Sequence, residues 1–203
     1  MNSFVINKKI NSFESKINVD GDKSLSIRWV LLASQATGIS KAYNLPKSED
    51  VKAALNSIKK LGIKVKMHKK FCEIYGNGIN GFKYKKSLTI NAGNSGTLGR
   101  LILGLLIKSP QKIKLIGDKS LSKRDFSRVT KPLSKFGAKF YHSKKNKLPL
   151  SIIGTKSVKG INYLENKGSA QCKSSVMLAA LNSSGTTSIK AKKSRNHTEL
   201  LFK

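Results

Sequence analysis

The sequence of 203 residues predicts a protein of the α/β class. Segments with apolar residues at helical spacing alternate with short segments of β-strand pattern, which is the order typical of α/β proteins. An octapeptide also occurs twice, because residues 21–28 and 117–124 agree at seven of eight positions. A chance match of this length is not expected even in a chain rich in Lys and Ser. We therefore infer a duplicated unit of helices and strands.

Five helices are predicted from apolar periodicity and capping residues. Ser48 and Ser95 precede the second and third helices, where a hydroxyl can accept a free N–H group of the first turn. Gly38, Gly62 and Gly137 stand where the first, second and fourth helices are expected to end. The apolar positions or spans of the helices are, in order, Leu25, Trp29, Leu32 and Ala36; Val51, Leu55 and Ile58; Leu98, Leu101, Ile102 and Leu105; Phe126, Val129, Leu133 and Phe136; and 171–181.

Five strands and a terminal helix complete the predicted elements. The strand candidates are 63–67, 71–75, 112–116, 138–141 and 150–153. Residues 194–203 have the pattern of a cap followed by the first turns of a helix, with no strand after it. We therefore expect the chain to be cut short at this end.

The chain carries a formal charge of +30, from 40 basic and 10 acidic residues. Such a charge is typical of nucleic-acid-binding proteins, but Lys is spread over nearly every segment instead of forming one basic surface. A general Lys bias in the composition explains this distribution as well. Arg stands at only five positions (28, 100, 124, 128 and 195), and in a Lys-rich chain a retained Arg indicates a site that needs a planar, bidentate donor.

Cysteine content and hydropathy predict a cytoplasmic protein. Cys72 and Cys172 are too few for a disulfide framework, so both are expected to be reduced. The longest apolar run, 101–107, is interrupted by Gly104 and is too short to cross a bilayer. The N-terminus has no signal-peptide core, and no membrane association is expected.

The repeated octapeptide has the residue types of an anion-binding site. Ser24, the expected helix cap, and Arg28 are one turn apart and share a face, with Lys23 beside them. Free N–H groups at a helix start also attract anions, so the segment predicts binding of a phosphate or a carboxylate. A capped turn with solvated cations is the alternative. The second copy favours anion binding because it also keeps its Arg, at position 124.

Three further segments contain candidate binding groups. Residues 93–97, followed by Arg100, combine small residues with a helix start, although an ordinary strand-to-helix turn has the same composition. Ser169 and Gln171 can hydrogen-bond a polyol or cap a helix, and 195–197 bring an Arg and a His. The acidic residues show neither paired carboxylates nor metal-ligand spacing. No general acid or base is therefore evident.

Taken together, the motifs resemble the enolpyruvyl transferases, and most closely the EPSP synthases. The matching segments follow one another through most of the chain and are 21–28, 44–51, 93–100, 117–124, 148–150, 169–174 and 194–199. The UDP-N-acetylglucosamine enolpyruvyl transferases match the first and sixth of these segments less well. The resemblance implies two lobes, each built of three βαβαββ units about a pseudo-threefold axis, which accounts for the repeats.

The resemblance also divides the chain. Residues 17–203 would form the lobe that binds shikimate 3-phosphate, nearly complete but truncated at its C-terminus, and residues 1–16 would begin the other lobe. The implied reaction, a step of aromatic amino acid biosynthesis, transfers the enolpyruvyl group of phosphoenolpyruvate to the 5-hydroxyl of shikimate 3-phosphate and releases phosphate. Such enzymes need no metal or organic cofactor. The full-length protein is expected to be a monomer that binds neither nucleic acid nor membrane.

Ten substrate-binding positions carry over from the family to this sequence. They are Lys23, Ser24 and Arg28 for shikimate 3-phosphate, with Lys23 also reaching phosphoenolpyruvate; Asn94, Gly96 and Arg124 for phosphoenolpyruvate; and Ser169, Ala170, Gln171 and Arg195 for the phosphate and ring of shikimate 3-phosphate. No catalytic acid or base is assigned within the chain, because the acid–base carboxylates of the family lie in the half that it lacks. The chain alone is therefore expected to be inactive.

Two positions depart from the family pattern. Asp125 puts a carboxylate beside Arg124 and should weaken anion binding there unless it points away. Asn196 stands where Asp is common in the family. Two other interpretations stay open at this point, a basic nucleic-acid-binding module and a catalytically inactive paralogue.

Overall fold

The computed structural model describes residues 5, 7, 8, 12, 14, 16, 17 and 19–203, so the expectation for residues 1–16 falls largely outside the described residues. Helices and strands alternate along the described chain, as predicted. The elements are α1 (Lys23–Ala33), β1 (Thr37–Tyr43), α2 (Glu49–Lys60), β2 (Lys64–Met67), β3 (Phe71–Asn77), β4 (Thr89–Asn91), α3 (Gly96–Leu105), β5 (Ile113–Ile116), a 3-10 turn (Leu121–Lys123), α4 (Ser127–Lys135), β6 (Lys139–His142), β7 (Leu150–Ile153), β8 (Asn162–Glu165), α5 (Ala170–Ala180), β9 (Ser188–Ala191) and α6 (His197–Phe202).

The strands pair in the same way in successive parts of the chain. In the central part, from β4 to β7, the sheet has the order β4-β5-β7-β6, with β4 parallel to β5 and the other pairs antiparallel. The first part, from α1 to β3, repeats the antiparallel arrangement as β1-β3-β2. In the third part β8 and β9 are parallel, like β4 and β5. The predicted repetition of βαβαββ units is thus confirmed, with the central unit present in full.

The first helices of the three parts pack together, because α3 contacts both α1 and α5. Leu98, Leu101 and Ile102 of α3 are inaccessible to solvent, and each such side chain contributes roughly 1.5–3 kcal/mol through its burial. Gly104 permits the close approach of α5, since a Cβ at this position would lie 2.2 Å from the carbonyl oxygen of Ser175. Any larger residue at position 104 would therefore push the two helices apart.

Helix α1 differs from its prediction, whereas the other predicted elements are confirmed to within two residues at each end. The confirmed elements are the other four helices, all five strands and the terminal helix. Helix α1 ends at Ala33, and Gly38 lies inside β1 instead of closing the helix. The predicted apolar face is also wrong, because Leu25 is 38% exposed while the inaccessible side chains are Ile27, Val30 and Leu31. Since α1 contacts α2, α3, α6 and β3, it is buried over a broad arc, and its sequence has no single apolar face.

Four strands, β1, β4, β8 and β9, were not predicted because their sequences carry only a weak strand pattern. No residue of β1 is fully buried, β4 and β9 alternate polar and apolar residues over only three and four positions, and β8 does not alternate. Their pairing depends on backbone hydrogen bonds and on tertiary position, which composition does not show.

Two expectations about the environment of the chain can be compared with the structure. Cys72 and Cys172 are both free and buried. None of the described helices has the length and apolar character needed to cross a bilayer.

Candidate anion-binding site

A cavity of about 560 Å³ lies where the first turns of α1, α3 and α5 come together. All ten positions that the family resemblance singled out line this one cavity. Its lining residues are Lys23, Ser24, Arg28, Asp50, Asn94, Gly96, Thr97, Arg124, Gly168, Ser169, Ala170, Gln171, Ser194 and Arg195. Asp50, Thr97, Gly168 and Ser194 were not predicted as site residues, although all but Gly168 fall within the quoted motifs.

Side chains cap all three helix starts, two of them from outside the cavity lining and one, Ser169, from within it. Asp22 accepts the N–H of Leu25 at 2.7 Å, which corrects the expectation that Ser24 caps α1. Ser95 caps α3 and Ser169 caps α5 in the same way. Because the partial positive charge of each helix start is directed toward a shared space, the arrangement favours an anion.

The charge of the cavity lining is also positive. Lys23, Arg28, Arg124 and Arg195 bring four cations, against the single carboxylate of Asp50. Lys23 Nζ lies 2.6 Å from Asp50 Oδ2, so one cation is already paired and the other three are not neutralised by a lining carboxylate. Of the described lining residues, only Asp50 carries a carboxylate, and that carboxylate is already paired with Lys23.

Arg28 is buried and linked to three helices. Its Nε donates to Thr198 Oγ1 at 2.8 Å, Nη1 donates to the carbonyl oxygen of Ser24 at 2.9 Å, and Nη2 donates to Ser174 Oγ at 3.3 Å. Burial lowers the pKa of Arg28, and the neighbouring charge of Arg195 lowers it further. The guanidinium nevertheless stays charged at neutral pH because the ordinary pKa of arginine is so high. It therefore places a fixed positive charge at the wall of the cavity.

Arg124 is held through a chain of hydrogen bonds that begins at Asp118. Asp118 Oδ2 accepts the Asn94 Nδ2–H at 2.6 Å, and Asn94 Oδ1 accepts from Arg124 Nη2 at 3.3 Å. The backbone N–H of Leu121 is the largest influence that lowers the pKa of Asp118. The second octapeptide thus forms a 3-10 turn closed by Asp118, not the start of an α-helix, and still directs its Arg to the cavity.

Gly96 lies between two guanidinium groups. A Cβ at this position would be 2.9 Å from Arg100 Nη1 and 2.9 Å from Arg124 Nη1, which is closer than a carbon and a nitrogen approach without displacement. The absence of a side chain at position 96 therefore lets both arginines stay at the first turn of α3.

Arg100 is not a lining residue but contacts one. Its Nη1 donates to Gln171 Oε1 at 2.9 Å, while Gln171 Nε2 donates to Thr97 Oγ1 at 3.0 Å. The guanidinium also lies over the ring of Phe126, with Cζ 5.3 Å from the ring centroid. Arg100 therefore connects α3 to the start of α5.

Asp125 does not oppose the charge of Arg124. Its two oxygens accept from the backbone N–H of Ser127 at 2.7 Å and from Ser127 Oγ at 2.9 Å. These bonds close the start of α4, and the Ser127 N–H is the main cause of the lowered pKa of Asp125. The carboxylate is thus directed to α4 and away from Arg124. Under this condition Asp125 was not expected to weaken anion binding. The other departure, Asn196, precedes α6 and makes no capping side-chain bond to the described residues.

Comparison with known proteins agrees with this geometry. A model of the family described as EPSP synthase (3-phosphoshikimate 1-carboxyvinyltransferase) matches residues 7–203. This chain belongs to the EPSP synthase family. The curated 3-phosphoshikimate 1-carboxyvinyltransferase of Vesicomyosocius okutanii subsp. Calyptogena okutanii is 41% identical over 100% of the chain, and that of Bacillus subtilis is 38% identical over 96% of it.

The solved structures give the same result for the fold. An EPSP synthase from Acinetobacter baumannii matches with a TM-score of 0.85 and 36% identity, covering 91% of this chain and 42% of that chain. The chain covers 46% of the Vesicomyosocius okutanii protein and 45% of the Bacillus subtilis protein. It therefore spans slightly less than half the length of these EPSP synthase relatives.

One residue that supports the site had no signal in the sequence of this EPSP synthase-family chain. Glu165 is buried, and its two oxygens accept the backbone N–H groups of Ser169 at 2.7 Å and Lys167 at 3.1 Å. It thereby fixes the loop that brings Gly168 and Ser169 to the cavity. A lone Glu in a polar stretch has no motif, and only the fold reveals what it contacts.

Proposed function

We propose that this chain forms the lobe of an EPSP synthase that binds shikimate 3-phosphate and holds phosphoenolpyruvate beside it. The observation that supports the proposal most directly is the cavity, in which ten family positions and four cations meet at three helix starts. The division into a lobe at 17–203, the residue roles and the monomeric state remain predictions from the resemblance, and the cytoplasmic location remains a prediction from cysteine content and hydropathy.

The roles of the residues follow from their chemistry. Both substrates are multiply charged anions, and bringing two anions together costs free energy that nearby cations offset. In the proposal, Lys23 stands between the two anions, Arg124 with Asn94 holds phosphoenolpyruvate, and the start of α5 with Arg195 holds the phosphate of shikimate 3-phosphate. Holding both molecules in one orientation would supply a large share of the rate enhancement.

The reaction itself also needs proton transfers. In the proposed reaction the 5-hydroxyl oxygen adds to C2 of phosphoenolpyruvate while C3 gains a proton, and the hydroxyl proton is lost. Phosphate then leaves C2 as a proton leaves C3, which forms the enol ether. Since the one lining carboxylate among the described residues, Asp50, is paired with Lys23, we assign these proton transfers to groups outside this chain.

The binding part of the proposal can be tested by calorimetry on the 203-residue chain. We expect saturable binding of shikimate 3-phosphate, weakened roughly tenfold or more by Lys23→Ala with Arg195→Ala, since charge-assisted hydrogen bonds are lost. The control pair Lys64→Ala with Lys66→Ala removes the same charge from β2, outside the cavity, and should change the affinity less than about twofold.

A nucleic-acid-binding module would give a different pattern in the same experiment. It predicts no heat with shikimate 3-phosphate, together with binding of a single-stranded oligonucleotide that falls steeply with salt. It also predicts that both pairs of substitutions weaken oligonucleotide binding equally, because scattered lysines would carry it. This pattern would contradict the proposed substrate lobe.

A further inference from the structure

Arg128 has no role in the proposed function, yet it lines a second cavity of about 220 Å³. One wall of this cavity is α4, with Arg128 and Lys131 one turn apart. The other wall is β8 and the loop after it, which brings Lys167. The remaining lining residues are Ser127, Pro132, Tyr163, Leu164, Glu165, Asn166 and Cys172. None of these residues also lines the main cavity.

The three cations of the second cavity form no ion pair with a described carboxylate, although Asp125 is near enough to Arg128 and Lys131 for their charges to lower its pKa. Glu165 is the one carboxylate in the lining, and both of its oxygens are engaged by backbone N–H groups. Within the part of the chain that the structure describes, Arg128, Lys131 and Lys167 have no carboxylate within 4.0 Å of their charged nitrogens. Across the same residues, the Arg128 side chain makes no hydrogen bond, so its planar set of donors is free to bind a ligand.

Arg128 also belongs to a group of arginines that repel one another. Burial lowers the pKa of Arg100, and the charges of Arg124 and Arg128 lower it further. The Asp125 carboxylate offsets part of this repulsion at Arg100, whereas Gln171 and Asn94, to which Arg100 and Arg124 donate, carry no negative charge. An anion beside Arg128 would relieve this repulsion.

The uncharged groups of the second cavity do not compete with an anion. Burial raises the pKa of Tyr163 to about 12, so its hydroxyl is protonated at neutral pH and can donate a hydrogen bond. Burial likewise raises the pKa of the Cys172 thiol, which therefore stays neutral. The lining thus offers donors and cations, and its one anion is already occupied.

From these observations we propose that the second cavity binds a phosphate-sized oxyanion, with Arg128 as a bidentate donor and with Lys131 and Lys167 on either side. The site is separate from the main cavity, and its existence does not depend on the proposed function. Its volume of about 220 Å³ accommodates a free oxyanion or the phosphate group of a larger molecule. Inorganic phosphate and methyl phosphate distinguish the two sources, because a site for a free oxyanion should bind the ester more weakly.

The test is a titration of the ¹⁵N-labelled full chain with inorganic phosphate, followed by the amide signals of Arg128, Lys131 and Lys167. We expect these signals to shift and saturate. Arg128→Gln with Lys131→Gln should raise the dissociation constant measured at Lys167 roughly tenfold. Lys114→Gln with Lys139→Gln removes the same charge from exposed positions of β5 and β6 and should leave the constant within about twofold.

Three results would overturn the proposal. The shifts at the second cavity could grow linearly without saturation, or the control pair could weaken binding as much as the Arg128 pair. Alternatively, these shifts could disappear in Lys23→Ala with Arg124→Ala, which would mean that they report binding in the main cavity. Should the Arg128 pair lose the dispersed spectrum of a folded chain, the single variant Lys167→Gln, on the opposite wall, provides the same comparison.

Discussion

The hydrogen bond from Arg100 Nη1 to Gln171 Oε1, 2.9 Å long, fixes the orientation of the Gln171 side-chain amide. A guanidinium can only donate, so the amide oxygen has to face Arg100. The amide nitrogen then faces Thr97 Oγ1 and uses one of its two hydrogens there. The second N–H remains for a ligand. Gln171 is therefore preset as a hydrogen-bond donor, which suits the oxygen atoms of a phosphate or a sugar-like ring.

Removing Arg100 should free this amide to rotate. We expect Arg100→Gln to weaken binding of shikimate 3-phosphate roughly tenfold, since one oriented hydrogen bond to a charged ligand is lost. Calorimetry on the folded variant measures the effect. Lys108→Gln, which removes one exposed cation just after α3, should bind like the parent chain. Equal affinities of the parent and Arg100→Gln would contradict the orienting role.

A methyl group at position 96 should displace both arginines that flank it. Gly96→Ala is expected to weaken binding of phosphoenolpyruvate several-fold while leaving the free energy of unfolding within about 1 kcal/mol, because only the ends of flexible side chains must move and Ala favours the helix. Gly99→Ala is the matched control, since its nearest new contact is an ordinary 3.4 Å to Phe126. If both variants bind alike, the guanidinium groups do not depend on the space at Gly96.

Thr198 connects α6 to the buried guanidinium. Its Oγ1 accepts from Arg28 Nε and donates to Ser174 Oγ at 2.6 Å. Thr198→Val keeps the shape but leaves Arg28 Nε–H without its partner, so we expect a loss of about 1–3 kcal/mol in the free energy of unfolding. Urea denaturation measures it. Thr37→Val, at an exposed position of β1, should cost less than about 0.5 kcal/mol, and a similar loss in both variants would speak against the network.

Asp125 should make the stability depend on acid pH. Its pKa is lowered in the folded chain, so it stabilises the fold fully above the ordinary aspartate pKa of about 3.9, and this contribution disappears as the pH falls through the folded pKa. Asp125→Ala is expected to lose about 1 kcal/mol at pH 7 and to approach the parent chain once the pH has fallen below the folded pKa of Asp125. Urea denaturation over a pH series tests this. Asp20→Ala should follow the parent throughout, and a constant deficit of Asp125→Ala at every pH would exclude an ionic origin.

The chain alone should not catalyse the proposed reaction. We expect no phosphate release above background from shikimate 3-phosphate and phosphoenolpyruvate, because the lining provides no free acid or base among the described residues. The assay uses purified chain of verified mass, with the Bacillus subtilis 3-phosphoshikimate 1-carboxyvinyltransferase as the active control. Turnover by the chain alone would show that its own residues transfer the protons.

Much of the fold could be predicted because local signals agreed with it. Helix α2 has a cap at Ser48, one apolar face and a stop at Gly62, and the structure follows all three. By contrast, α1 is surrounded by other elements, and its buried positions could not be separated from its exposed ones by periodicity. The weak strands likewise depend on neighbours that lie far away in the sequence.

The same division applies to the cavity. Its ten predicted positions stand in sequence motifs, and the structure brings them to one cavity. Asp50 stands in a motif, but its pairing with Lys23 depends on how α2 packs beside α1. No sequence pattern marks the contacts of Glu165 or the guanidinium donors of Arg128 in the second cavity. Contacts between segments that lie far apart in the sequence therefore could not be predicted and became visible only in the three-dimensional structure.

Because Lys23, Gly96 and Ser169 come from three different βαβαββ units, no unit encloses the cavity by itself. A bound anion consequently acts as a non-covalent cross-link that exists only while all three units are docked. Ligand at one hundred times its dissociation constant would add about 2.7 kcal/mol to the unfolding free energy of the whole assembly, not of one segment. Separation of any single unit would release the ligand, so occupancy should make the three repeats unfold as one.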